Sequence, residues 1–169
     1  MPEEQADYET ANETMSAEEY RNRQMSEEAI HKAVVDWADG QAQAEPALEL
    51  LFHCPNGGSR HGAEAKKLRQ MGVRQGVPDL TLPAARLGAR GIAAERIEHN
   101  GLALELKSPS GRLRPSQEWW LARLREQGWA VAVVWSVDRA IHVIQRYLSG
   151  EHEPQGLDLS GAEPPRHVE

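Results

Sequence analysis

Leu, Ile and Val are absent from residues 1–25 and then arrive in bursts whose period changes along the chain. Between Ser26 and Asp39 the apolar positions Ile30, Val34 and Trp37 fall on one helical stripe. Ser26 suits the N-cap, Glu27 and Glu28 fill the first turn and Gly40 suits the stop. Ala47 to Cys54 reads as a first strand, running into a turn at His53–Gly58. A short basic helix is expected over Ala63–Met71, stopped by Gly72, and a second strand over Val77–Leu82. Residues 83–100 are rich in Ala, Arg and Gly and read as an excursion, a hairpin or a loop. In Leu102–Lys107 strict alternation puts Leu102, Leu104 and Leu106 on one face and Glu105 and Lys107 on the other. Pro115 opens a helix to about Gln127, with Gln117, Trp120, Leu121 and Leu124 inward. Trp129–Trp135 is apolar throughout and reads as a fourth, central strand. Ser136 caps a last helix to Leu148, with Ile141, Ile144 and Leu148 inward. The order is that of an α/β domain with a mixed four-stranded sheet flanked by helices, spanning 26–148. Residues 1–25 form an acidic tail expected to be disordered, and 149–169 a polar, Pro-containing tail.

Charge changes the picture of possible partners. The formal net charge is −7, but residues 1–28 carry nine acids against two bases and residues 149–169 five acids against one base. The middle, 29–148, keeps twelve acids and sixteen bases, so the predicted fold is mildly basic and compatible with DNA. One cysteine, Cys54, allows no internal disulfide, which suits a reducing cytosol. The acidic N-terminus is not a signal peptide, and no stretch is apolar enough to span a membrane. A cytoplasmic protein is expected.

The candidate chemistry lies on the second and third strands. Asp79 and Glu105, twenty-six residues apart, would bring two carboxylates together on neighbouring strands, with Lys107 beside them. Hard cations such as Mg²⁺ take oxygen ligands, often one or two carboxylates plus water and phosphate. Asp79, Glu105 and the backbone carbonyl of Leu106 would hold the metal, and Lys107 would orient or help deprotonate an attacking water. A Pro-Asp pair or a Glu-x-Lys triplet is common alone, as a turn or a solvated strand face. Here both sit on predicted strands, one backed by an unbroken leucine face. Glu27 projects from the inward edge of its helix, as N-terminal charge or as a metal contact, direct or through water. Gln117 faces inward and could orient water or phosphate. The Gly-rich turn and basic helix offer Asn56, Arg60, Lys66, Lys67, Arg69 and Arg74 for DNA phosphates. The tryptophans are core by spacing except Trp119, off the inward stripe of its helix and a candidate for a dimer interface or for base stacking. His31, His61, His99 and His142 have no mutual metal-ligand spacing.

Taken in order, these stretches resemble the VRR-NUC (virus-type replication-repair nuclease) family of the PD-(D/E)xK superfamily. The resemblance rests on Ser26-Glu27 to Trp37, Pro55–Arg60, Gly72–Leu80, Gly101–Lys107, Gln117–Trp120 and the strand after Gly128. It implies a restriction-endonuclease-like core and a metal-dependent nuclease acting on branched or flapped DNA, with Mg²⁺ or Mn²⁺. The family's metal carboxylates match Asp79 and Glu105, its lysine Lys107, its helix-one glutamate Glu27 and its glutamine Gln117. Small members of this kind are similar to homodimeric Holliday-junction resolvases, so a homodimer is expected. A flap or nicking nuclease of the same fold, or a non-catalytic DNA-binding module, is the competing expectation. Two departures stand out. His31 replaces a frequent glutamine, and 83–100 is longer than the compact connection the family suggests.

Overall fold

The computed structural model describes residues 25–55, 62–87, 97–151 and 155–164. Residues 1–24, 56–61 (with Asn56, Arg60 and His61, where a turn is expected) and 88–96, the middle of the expected excursion, lie outside them. Helix α1 (Glu27–Gln41) starts as its sequence dictates, with Ser26 Oγ accepting the Ala29 N–H at 3.1 Å. Its buried stripe is Ile30, Val34 and Ala38, with Trp37 half-buried beside it, and Gly40 lies inside the helix rather than past its end. Pro46 then opens a 3-10 turn, Pro46–Leu50, which takes most of the expected first strand and leaves β1 only Phe52–His53. Helix α2 is Gly62–Gln70, and Gly72 follows at φ +98°. Strand β2 is Leu80–Leu82. The excursion pairs β3 (Arg86–Leu87) with β4 (Ile97–His99) in an antiparallel two-stranded ribbon. Then come β5 (Leu102–Leu106), α3 (Pro115–Glu126), β6 (Ala130–Val134) and α4 (Val137–Ser149). Ser136 caps α4, and Gly150 ends it in the left-handed region at φ +79°.

The main sheet runs β1-β2-β5-β6, antiparallel at the first two junctions and parallel at the last, where α3 supplies the crossover. This makes β5 central and β6 an edge strand, contrary to the position its apolar run suggests. Both faces of β6 are nevertheless covered, so all five of its residues are buried. Leu102, Leu104, Leu106 and Ala130, Ala132, Val134 join α1 and α4 in the larger core, while Ala103, Val131 and Val133 meet Leu121 of α3 in the smaller. The inward stripe of α4 is Ala140, Val143, Ile144 and Tyr147, with Leu148 only half-buried.

Two findings depart from the pattern reading. Residues 155–164 lie back on α3 and β6: Leu157 and Leu159 pack on the smaller core, and the Glu163 N–H reaches Pro115 O at 3.2 Å. The Gln155 amide accepts the Val133 N–H at 2.9 Å and donates to Val133 O at 3.3 Å, as a neighbouring strand would. The tryptophans also exchange roles. Trp119 is half-buried, edge-on to Trp120 at 5.4 Å, with the Arg123 guanidinium 5.7 Å from its ring centre, whereas Trp135 just past β6 is 40% exposed. Trp135 follows the last paired residue of an edge strand, where a period-2 reading has no layer left to bury it.

Candidate active site

Glu105 and Lys107 are the charged side chains that the fold buries among the described residues. Glu105 lies on β5 and Lys107 directly follows it; the alternation of β5 turns Glu105 away from the leucine face and into the smaller core side. A carboxylate there is costly unless it is paired. Lys107 Nζ pairs with Glu105 Oε1, donates to Leu106 O at 2.9 Å and lies 3.6 Å from Glu27 Oε2. Two of the ammonium's N–H bonds thus have acceptors, and Glu27 adds an ion pair beyond hydrogen-bond distance. The Glu27 contact is the loosest, since that side chain is 49% exposed. Burial, reinforced by the charge of Asp79, pushes the Glu105 carboxyl up to about 8, with Lys107 opposing.

Asp79 sits just before β2. Its Oδ2 accepts the Leu106 N–H at 2.9 Å, which ties it to the strand carrying Glu105. Its backbone carbonyl takes the Cys54 N–H at 3.0 Å and the His53 ring at 2.9 Å. A carbonyl only accepts, so His53 Nδ1 carries the proton in this contact. The His31 ring stands edge-on to His53 with centroids 4.4 Å apart. Burial and His53 hold His31 below the ordinary imidazole range, against the pull of Asp79 and Glu27. The run into Asp79 is fixed from α3. Trp120 Nε1–H donates to Gln75 O at 3.0 Å, and Gly76, at φ +86°, packs so tightly on Ser116 that a Cβ would come within 2.7 Å of its carbonyl. Gln117 accepts the Arg114 N–H at 2.9 Å through Oε1, which turns its NH₂ onto Glu105 Oε1.

The structure thus gathers Asp79, Glu105, Lys107, Gln117 and Glu27 at one end of the sheet, from two strands and two helices. Lys66 and Lys67 lie exposed on α2, and Arg74 is exposed beyond it with Nη1 on Arg69 O at 3.2 Å. Pattern reading missed His53. Its only sequence signal is its place at the end of the first predicted strand, against the turn.

Among the described residues no three His, Cys, Asp or Glu side chains stand in metal-ligand geometry, so any metal here rests on two carboxylates with main-chain, water or phosphate oxygens. The donor chemistry fits such an ion. Glu105 Oε2 is buried without a hydrogen-bond partner, and the Lys107 ammonium already sits on Glu105 Oε1 and Leu106 O, so these oxygens converge on positive charge.

Comparison with known proteins gives matches to a family model and to solved structures. The family model for the VRR-NUC domain matches residues 11–138. A solved structure described as a VRR_NUC domain protein is 26% identical, with a TM-score of 0.59, covering 79% of this chain and 95% of that one. No curated protein matches. Among the described residues no helix is long and apolar enough to cross a membrane.

Proposed function

The chain belongs to the VRR-NUC domain family of nucleases, and from that premise we propose that it is a divalent-metal-dependent endonuclease that hydrolyses phosphodiester bonds in branched DNA, in the manner of a Holliday-junction resolvase. The observation that carries this reading is the convergence of Asp79 and Glu105, tied together through the Leu106 main chain, with Lys107 paired to Glu105. In this proposal Asp79, Glu105 and the Leu106 carbonyl hold Mg²⁺ or Mn²⁺, with Glu27 adding a contact through water. The bound ion supplies Lewis-acid stabilisation of the phosphate and a water of lowered pKa.

The protein groups do the rest. Lys107, held to Glu27 only by an ion pair, turns an N–H to the attacking water, while its charge opposes the negative charge growing on the phosphoryl oxygens. Gln117 keeps one N–H on Glu105 and has a second for the water or a phosphate oxygen. Water oxygen bonds to phosphorus in line as the bond to the 3′ oxygen breaks; the water's proton passes to solvent and the departing 3′ oxygen takes one from solvent, leaving 5′-phosphate and 3′-hydroxyl ends. Lys66, Lys67 and Arg74, with Asn56 and Arg60 outside the described residues, contact the DNA backbone. Symmetric cuts in a four-way junction need two sites related by a twofold axis, so the active form is a homodimer.

The test incubates the protein with four-way junctions, flaps and plain duplex, in Mg²⁺ or Mn²⁺ and in EDTA, beside Asp79→Ala. Cleavage of branched DNA that needs both the metal and Asp79 is the expected result. Activity that survives EDTA or the substitution refutes the mechanism. A parent that binds DNA but cuts nothing points to a non-catalytic module.

A further inference from the structure

Trp135 lies beside the catalytic lysine. The parallel register of β5 and β6 ends at Leu106 opposite Val134, and the Lys107 N–H continues it by donating to Val134 O at 2.9 Å. The next step of that register sets Trp135 level with Lys107, one strand away, a spacing of about 4.8 Å. Alternation from Val131 and Val133, which pack under α3, puts Trp135 on the same face of the sheet as Glu105. Its indole N–H donates to Gly111 O at 3.0 Å. Gly111 in turn rests on the lysine, since a Cβ there would stand 3.2 Å from Lys107 Cδ. The ring is therefore pinned to the loop that covers the Lys107 stem.

The other tryptophans are engaged elsewhere. Trp120 is bonded to Gln75 O, Trp119 packs on Trp120 and Arg123, Trp37 joins the larger core, and the Trp129 ring fills the space beside Gly101, where a Cβ would fall 2.3 Å from it. Trp135 alone among them counts as an exposed large hydrophobic, and it does so at the rim of the catalytic groups. A ring held by its own N–H loses little freedom when a partner lies on it. Every nucleobase offers a π face to such a ring, but a base inside a duplex has both faces covered by its neighbours.

We propose that Trp135 is a stacking platform for an unpaired base next to the scissile phosphate, and that it biases cleavage towards DNA in which that base has left the duplex. The proposal rests on the nuclease reading of the adjacent site. It commits to a base as the occupant because the ring borders the groups that would receive the phosphate. Stacking of this kind is indifferent to base identity, so selection is by structure rather than by sequence.

The test uses the full chain, Trp135→Phe and Trp135→Leu. Phe keeps an aromatic face, and Leu keeps apolar cover for the 108–111 loop without one. Binding is measured in EDTA to a flap and a four-way junction carrying 2-aminopurine at the branch, and to a continuous duplex of the same sequence. Trp135→Leu is expected to weaken binding of the branched DNAs about tenfold and to remove the stacking quench of the 2-aminopurine. Trp135→Phe should stay within about twofold of the parent, and duplex binding should be the same for all three. Equal loss on branched and duplex DNA would assign the ring to support of the loop and overturn the proposal. So would an unchanged Leu variant, or a Leu variant whose defect is a change in oligomeric state by sedimentation. If the parent cleaves branched DNA and the Leu variant matches it, this inference alone falls. If the parent neither binds nor cleaves any DNA, the nuclease reading falls and takes the inference with it.

Discussion

Glu105 holds its proton more tightly in the fold than in the open chain, because burial and Asp79 both disfavour its charged form. With a folded value of about 8 against an ordinary 4.5, the fold retains a proton that the unfolded chain has already released between those values. Stability from this group is therefore complete below pH 4.5 and is lost as pH rises to about 8, with a slope of at most about 1.4 kcal/mol per pH unit. Urea unfolding of the metal-free protein should show that decline, and Glu105→Gln should flatten it; parallel curves for the two proteins would refute the assignment. His53 makes a second prediction. The Nδ2 of asparagine can take the place of its Nδ1, so His53→Asn should keep Mn²⁺ affinity near the parent value. His53→Ala, which leaves the Asp79 carbonyl with the Cys54 N–H alone, should lose about tenfold, read by calorimetric titration. Equal affinities for the two variants would leave His53 without a positioning role. The pair Glu105 and Lys107 was legible in the sequence because alternation against three leucines is a local signal. His53 was not, because it works through a main-chain carbonyl twenty-six residues away, and no period records that.

At the scale of elements, the apolar run at 129–135 illustrates what hydrophobic patterning can and cannot resolve. It reports that both faces of β6 are covered, which is true, and cannot report whether both edges are paired. The open edge is met by the Gln155 amide, with Leu157 and Leu159 following at a spacing of two onto the smaller core. A polar, Gly- and Pro-containing sequence hides that signal, since two leucines in ten residues fall below any periodicity threshold. Gln155→Ala removes both side-chain bonds to a buried strand and should cost about 1–3 kcal/mol. Leu157→Ala, at a half-buried site, should cost about 1–2 kcal/mol. Chemical denaturation of each variant is the measurement, and an unchanged midpoint in both would mean that the segment contributes nothing to stability. The last helix was placed correctly from its Ser136 cap, but its inward stripe was rotated. Tyr147 explains part of that. Its hydroxyl donates to Ala84 O, so a residue with a polar tip takes a fully buried position.

For the whole molecule, the balance of charge matters more than its total. The net −7 is set by the two ends, and the stretch between them is basic. Lys66 and Lys67 stand exposed on a helix that carries one acid in its first turn, Glu64. If both neutralise phosphates, the double variant Lys66→Ala/Lys67→Ala should lower the slope of log affinity against log salt by about 2. Cleavage at saturating DNA should be little changed, and an unaltered slope would move the DNA path elsewhere. The fold class and the site cluster were legible because cap residues, leucine alternation and motif order agree with one another. The seal on the β6 edge adds a matter of timing. Vectorial synthesis delivers β5, α3 and β6 before residues 155–164 exist, so a nascent chain can assemble its sheet while one side still offers Val133 N–H and C=O groups to any passing strand. The other side gives less opportunity, because β1 is two residues long. Crowded polysomes would be the place where neighbouring copies exploit that interval. A variant with a slow-docking strap would reveal itself as lost yield during expression, while the molecules that do finish melt like the parent.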